Sequence, residues 1–177
     1  GFEASYGGAE SNVAVSLSTL GDDAAFLTKL PDNPVGNAAF NELRRYGVDT
    51  SRILRGGPRL GIYYFEKGND IRPTSVLYDR AGSALAKASA TEFDWEALLS
   101  GIDIFFFSGV TPAISPSVEQ AVSNALNYCH THGITVICDV NYRAKMWSRE
   151  KAQSVMKELM QYVDLCIAND EDFEAAL

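Results

Sequence analysis

The chain has 177 residues, 46% of them hydrophobic and 21% charged, with a formal net charge of −8. That balance fits an ordinary α/β domain able to bury a core, and the acidic sum without a basic cluster argues against nucleic acid or an anionic membrane as partner. No run of about 18 apolar residues occurs, so no membrane span is expected, and the opening "GFEASYGG" has neither the basic nor the apolar region of a secretory leader.

The expected elements alternate between strand and helix. A short strand ends at Tyr6, and Gly7-Gly8 turn the chain into a helix from about Glu10 to Leu20, closed by Gly21. "AAFLTKL" reads as a strand and "PVGNAAFNELRRYG" as a helix ending at Gly47. "SRIL", "LGIYYFEK" and "TSVLYDR" follow as three strands without a helix between them, so residues 51–80 are expected to form a small antiparallel lid. "IDIFFFSGV" is a buried strand, and "SPSVEQAVSNALNYCHTHG" is a helix that begins beside a proline and stops at Gly133. The pattern then runs strand "ITVICDVN", helix "SREKAQSVMKELMQY", strand "VDLCIAN", and the start of a helix at "DEDFEAAL". Strands joined by helices from about Asp103 onward imply parallel pairing with right-handed crossovers.

Four groups of residues draw chemical interest. Gly7-Gly8 permits a positive φ and close approach of a ligand to backbone, and Asn12 follows in the first turn of the helix, where its amide both donates and accepts; a plain structural turn with a cap explains the same residues. "DVNYR", Asp139 to Arg143, sits at the C-terminal end of a strand, the edge where open α/β sheets bind ligands. Arg143 there suits a carboxylate or phosphate, or simply a surface salt bridge. Asn169 makes a good helix N-cap with Asp170, Glu171 and Asp172 behind it; alternatively Asn169 and Asp172 order water and Mg²⁺ near phosphates. In the lid, strand alternation sets Tyr63 and Phe65 on one face, and Tyr78 with Arg80 on one face of the next strand. That combination covers a small anionic molecule or packs on a second subunit.

Other signals are weaker. His130 and His132 stand at i, i+2 and do not share a helix face, so a metal site there is not expected. Cys129, Cys138 and Cys166 follow no metal or disulfide spacing and read as buried free thiols of a reducing cytosol. Neither a GxGxxG nor a GxxxxGK[ST] loop is present, which disfavours a dinucleotide-dependent oxidoreductase.

In order, "GGAESNVAVSLSTLG", "KLPDNPVG", "ELRRYGVDTS", "GIYYFEKG", "VLYDRAGSA", "FFFSGVTPA", "CDVNYRAKMWS" and "ANDED" resemble the ribokinase-like carbohydrate kinases of the PfkB family. The Tyr…Tyr-x-Arg lid and "DVNYR…WS" resemble the branch acting on 2-keto-3-deoxygluconate. The resemblance covers essentially the whole chain. It implies a three-layer α/β/α parallel sheet with a β-lid, residues 1–177 being the N-terminal part of one such domain with its C-terminal half absent. It implies transfer of the ATP γ-phosphate to a sugar-acid hydroxyl in the cytoplasm, Mg²⁺ as cofactor, and a homo-oligomer formed through the lid. By resemblance, Gly8 and Asn12 bind sugar oxygens, Tyr63, Tyr78 and Arg80 are lid residues on the substrate, and Arg143 holds the acid end or the phosphates with Asn141 beside it. Asn169 joins them at the phosphates, and Asp172 acts on Mg²⁺ indirectly.

Departures from the family pattern are Asp172 in place of Glu, Pro31 in place of Gly, and Glu10 where ribokinase itself has Gly. The family's catalytic Asp, its anion hole, its adenine loops and its first strand have no counterpart here, so no catalytic residue is assigned and this chain alone is expected to be inactive. Both ends read as truncated. A kinase for a neutral sugar of the fructokinase or ribokinase type and a non-catalytic sugar-binding relic remain the alternatives.

Overall fold

The computed structural model describes residue 1 and residues 3–177. Helix α1 (Ala9–Leu20) ends where Gly21 turns left-handed at φ 99° and returns its N–H to the Leu17 and Ser18 carbonyls. No strand is assigned before it among the described residues, so the expected strand ending at Tyr6 is not seen; residues 3–6 have no ladder partner there, and apolar sequence alone does not make a strand. Strand β1 is only Lys29–Leu30. The rest of "AAFLTKL" meets residues 49–54 through separate backbone bonds, such as Phe26 N to Asp49 O and Leu54 N to Thr28 O. Helix α2 (Pro34–Arg45) starts at Asn33, whose side chain caps the Gly36 N–H, with proline in the first turn.

Strand β2 (Leu54–Arg55) pairs with β1 in parallel. The expectation of three antiparallel strands over residues 51–80 is therefore corrected: "SRIL" joins the parallel system, because its neighbour lies across the α2 crossover. Only β3 (Ile62–Glu66) and β4 (Ser75–Asp79) form an antiparallel hairpin, with Tyr63 opposite Tyr78 and Phe65 opposite Val76. Between the hairpin and the next strand lie a 3₁₀ turn, Ala90–Glu92, and helix α3 (Trp95–Leu99), neither of which the sequence periodicity signals. Both carry clear caps: Ser89 and Glu92 form a reciprocal capping box, and Asp94 caps Ala97 N.

The C-terminal block follows the expected pattern: β5 (Ile104–Ser108), α4 (Pro116–His132), β6 (Thr135–Asp139), α5 (Arg149–Met160), β7 (Leu165–Ile167) and α6 (Asp170–Ala176). The three strands are parallel in the order β5-β6-β7. The largest core cluster lies here, built on Phe107, Leu126, Val136, Val140, Val155 and Met156. Helices α4 and α5 supply its apolar stripes, Val122, Leu126 and Cys129 from one, Ala152, Val155, Met156 and Leu159 from the other.

Cys129 and Cys138 are free and buried as expected, and burial pushes the Cys129 thiol up to about 11. Cys166 is instead exposed, because it lies on β7, the edge strand of this sheet, all three of whose residues are exposed. His132 needs no metal to explain it: its Nδ1 lies 2.9 Å from the Tyr128 carbonyl, and its ring stacks on Tyr128. Among the described residues no helix is long and apolar enough to cross a membrane.

Candidate active site

The C-terminal ends of β5, β6 and β7 are level. Ser108 is in register with Asp139, and Asp139 with Ile167. The loops leaving them are laced together: Gly109 N donates to Asp139 O at 2.9 Å, and Val140 N to Ile167 O at 2.9 Å. A Cβ on Gly109 would sit 2.2 Å from the Val140 carbonyl oxygen, so glycine is required by space.

Beyond Val140 the chain enters "NYR". Asn141 holds φ 37°, the one non-glycine residue in the left-handed region among those described, a conformation that costs about 1–3 kcal/mol and clusters at working sites. Its Nδ2 lies 3.5 Å from Asp139 Oδ2. Burial raises the Asp139 pKa above the ordinary aspartate value; the Asp172 and Glu10 charges add to the rise, while the Asn141 backbone N–H and Arg143 oppose it. Asp139, Arg143, Asp172 and Glu10 thus share one electrostatic neighbourhood at the sheet's edge. The Arg143 side chain is exposed and forms no hydrogen bond or ion pair among the described residues.

The first-helix turn reaches the same edge. Asn12 N donates to Gly8 O at 2.9 Å, and Gly8 N approaches Asn12 Oδ1 at 3.4 Å. Gly8 is fully extended, φ 171° and ψ 157°, so the positive φ that Gly7-Gly8 permits is not used there. Close approach is: a Cβ on Gly7 would lie 3.5 Å from both Asn12 Oδ1 and Tyr63 Oη. The hairpin therefore lays a tyrosine hydroxyl over the glycine turn.

Tyr63 and Tyr78, opposed in register, have ring centroids 6.3 Å apart. Arg80, half-buried, holds its guanidinium carbon 4.3 Å over the Tyr78 ring and donates from Nη1 to Met146 Sδ at 3.5 Å. A thioether is a weak acceptor, and Arg80 has no carboxylate partner among the described residues. By contrast Arg52, Arg55, Arg59 and Arg72 are each ion-paired, Arg59 to Asp79 at 2.6 Å. Met146 N bonds to Arg143 O at 2.9 Å, and Lys145 Nζ lies 5.9 Å from the Tyr78 ring. The same end of the hairpin thus touches the glycine turn from β3, through Tyr63, and the arginine loop from β4, through Tyr78 and Arg80. A groove of about 210 Å³ opens beside Met146 and Trp147, walled by Pro112 and Ala113.

Asn169 is placed less favourably for a ligand. Its Oδ1 accepts from Asp172 N at 2.7 Å and its Nδ2 donates to Asp172 Oδ2 at 3.0 Å, so capping already occupies both polar groups. No hydrogen bond or ion pair among the described residues joins Asn169 to Tyr63, Tyr78 or Arg80.

Glu10 was singled out only as a departure from ribokinase, yet it ties the site together. Its Oε1 accepts from Ser108 N at 3.0 Å, from Ser108 Oγ at 2.8 Å and from the Thr111 hydroxyl. The partners lie 98 and 101 residues away, and no local spacing in the sequence signals such a contact.

The model of the pfkB family of carbohydrate kinases matches residues 1–177. The chain is 39% identical over 170 residues to a protein of Haloferax volcanii named 2-dehydro-3-deoxygalactonokinase, covering 96% of this chain and 53% of that one. It is 31% identical over 170 residues to the 5-dehydro-2-deoxygluconokinase of Clostridium tetani, covering 94% and 49%. Among solved structures it resembles the 2-dehydro-3-deoxygluconokinase of Thermotoga maritima, at 50% identity and TM-score 0.96, over 99% of this chain and 54% of that one. The chain spans about half the length of the relatives it matches. With a match running from its first residue to its last, it belongs to the pfkB family of carbohydrate kinases.

Proposed function

We propose that the protein carrying this chain transfers the γ-phosphate of ATP to a hydroxyl of 2-keto-3-deoxygluconate, giving 2-keto-3-deoxy-6-phosphogluconate. The observation that carries this reading is the pair of arginines without carboxylate partners, Arg80 and Arg143, beside the edge where Gly8 and Asn12 meet Tyr63. The chain's net charge of −8 repels an anion at long range, so a sugar acid must be recruited by local guanidinium groups, which bind carboxylates through paired N–H donors. The three similar proteins described above are named as kinases of deoxy keto sugar acids, which agrees with an acidic acceptor.

In this reading the Gly8 backbone and the Asn12 amide take sugar hydroxyls, and Tyr63 and Tyr78 close over the ring. Arg80 holds the carboxylate. Arg143, steered by Asn141, takes the acid end or the phosphates, while Asn169, its amide committed to Asp172, supports the phosphate side only by ordering that turn. No group of three or more candidate metal ligands occurs among the described residues, which suits a hydrated Mg²⁺ carried in with the nucleotide rather than caged by protein. Asp172, with Asp139 beside it electrostatically, would bind such an ion through water, and the ion would neutralise phosphate charge. Positioning and charge stabilisation are what phosphoryl transfer needs from a protein. The proton-accepting base is assigned to no residue of this chain, so these 177 residues alone are expected to bind but not turn over.

The test is an ATP-coupled assay of the full-length protein with 2-keto-3-deoxygluconate, its galacto epimer, fructose and ribose. At least tenfold higher kcat/KM on a keto acid supports the proposal. Preference for a neutral sugar overturns it in favour of a fructokinase- or ribokinase-type activity.

A further inference from the structure

Glu10 is half-buried and has no ion-pair partner among the described residues. All three of its hydrogen bonds converge on one oxygen, Oε1, from the Ser108 amide, the Ser108 hydroxyl and the Thr111 hydroxyl. Ser108 is fully buried, and its Oγ also accepts from Val110 N at 3.3 Å. The loop leaving β5 is therefore wrapped around one carboxylate oxygen that belongs to another element. A side chain needed only to fill that space would be apolar, since a half-buried carboxylate costs desolvation unless its bonds are used.

What those bonds connect gives Glu10 its role. On its own element Glu10 stands between Gly8 and Asn12. Across the contact, Ser108 leads to Gly109, which has no room for a side chain against the Val140 carbonyl, and Val140 leads directly to Asn141 and Arg143. We propose that Glu10 is a positioning residue that clamps the sugar-hydroxyl turn (Gly8, Asn12) to the β5 loop, and through Gly109 and Val140 to the arginine loop. The hydroxyl end and the acidic end of the acceptor are then gripped at a fixed separation. This rests on the sugar-kinase reading for its kinetic consequence, though not for its structural one.

The length and the acceptor oxygen of Glu10 both matter to the clamp. Glu10→Gln keeps an oxygen able to accept all three bonds, whereas Glu10→Asp is one methylene short and Glu10→Ala has none. In the full-length protein, Glu10→Ala and Glu10→Asp are expected to raise KM for the acceptor at least tenfold. KM for ATP stays near wild type, the urea midpoint falls modestly in Glu10→Ala because the buried Ser108 donors lose their acceptor, and Glu10→Gln stays within threefold on every measure. Amide exchange in Glu10→Ala is expected to quicken together in residues 6–13 and 108–112 and to stay unchanged in α5.

An acceptor KM within twofold of wild type in Glu10→Ala overturns the proposal. So does a parallel loss in acceptor KM, ATP KM and urea midpoint, which marks a merely structural residue. The acceptor used is whichever one the wild-type protein turns over, so a preference for a neutral sugar defeats the substrate reading and leaves this test intact. Should no acceptor be turned over, unchanged exchange at 108–112 in Glu10→Ala overturns the clamp by itself.

Discussion

The sheet β5-β6-β7 and the hairpin β3-β4 each supply part of one site, yet they are built in opposite ways. The sheet ends in a floor whose loops are bonded to one another and backed by the largest core cluster. The hairpin has no buried residue in either strand. It is held by the Arg59–Asp79 pair, by Arg80 on Met146, and by the approach of Tyr63 Oη to the glycine turn. Local stability follows buried apolar contact, so the hairpin is expected to open at lower cost than the floor. In the proposed reading, the residues that fix the acceptor's geometry sit on the floor, and those that admit it sit on the hairpin.

The hardest blow to the floor is Gly109→Ala. The new Cβ would fall 2.2 Å from a backbone oxygen, and backbone cannot swing aside as a side chain does. A loss of about 3 kcal/mol or more is expected by urea denaturation, together with loss of acceptor binding, since Asn141 and Arg143 lean on the displaced carbonyl. Wild-type stability in this variant would show that the two loops are not packed as described.

Next in size is a matched pair of truncations. Leu126 is wholly buried, and Leu126→Ala is expected to cost about 2–5 kcal/mol. Leu77 is 65% exposed on the hairpin face away from Tyr63 and Tyr78, and Leu77→Ala is expected to stay within about 0.5 kcal/mol. A larger loss at Leu77 that grows with protein concentration would mean that a second copy covers this face, as the expected lid-mediated oligomer requires.

The same contrast explains what was legible in the sequence. Helix α4 could be read entire, because Ser115, Pro116 and Gly133 mark its ends locally and its apolar residues recur with helical spacing. The hairpin faces followed from alternation alone. The misreadings concern partners distant in the chain. "SRIL" looked like lid because strand neighbours are not written locally, and Cys166 looked buried because an apolar strand does not announce that it lies at an edge. The capping signals of Ser89, Glu92 and Asp94 were present but lay in a stretch lacking clear periodicity. Glu10 bonds to residues about a hundred positions away, beyond the reach of any spacing rule.

A smaller effect, confined to the hairpin, is expected at Arg80. Arg80→Lys keeps the charge but loses the planar fork and the stack on Tyr78. Acceptor KM should rise about tenfold, and nearer a hundredfold in Arg80→Ala, the range of a lost charged hydrogen bond. The urea midpoint should barely move, because no core residue depends on Arg80. A drop in stability without a change in KM would make Arg80 a brace for the hairpin rather than a substrate contact.

The mildest test returns to the floor and uses pH. Asp139 is half-buried, with the Asp172 and Glu10 charges beside it, and its pKa lies above the ordinary aspartate value. A carboxyl that holds its proton more tightly folded than unfolded makes the native state lose stability as pH rises from the ordinary aspartate range through the raised value; below that window the penalty vanishes, and above it the penalty is constant. Asp139→Asn has no charge to bury and keeps an oxygen to accept from the Asn141 N–H. Urea midpoints of the two proteins should therefore run together at the acid end and separate as pH rises, with the asparagine variant the more stable at neutral pH. Separation in the opposite sense would mean that Arg143 outweighs burial and the neighbouring carboxylates, and that its guanidinium is committed to Asp139 instead of standing free for an anionic substrate.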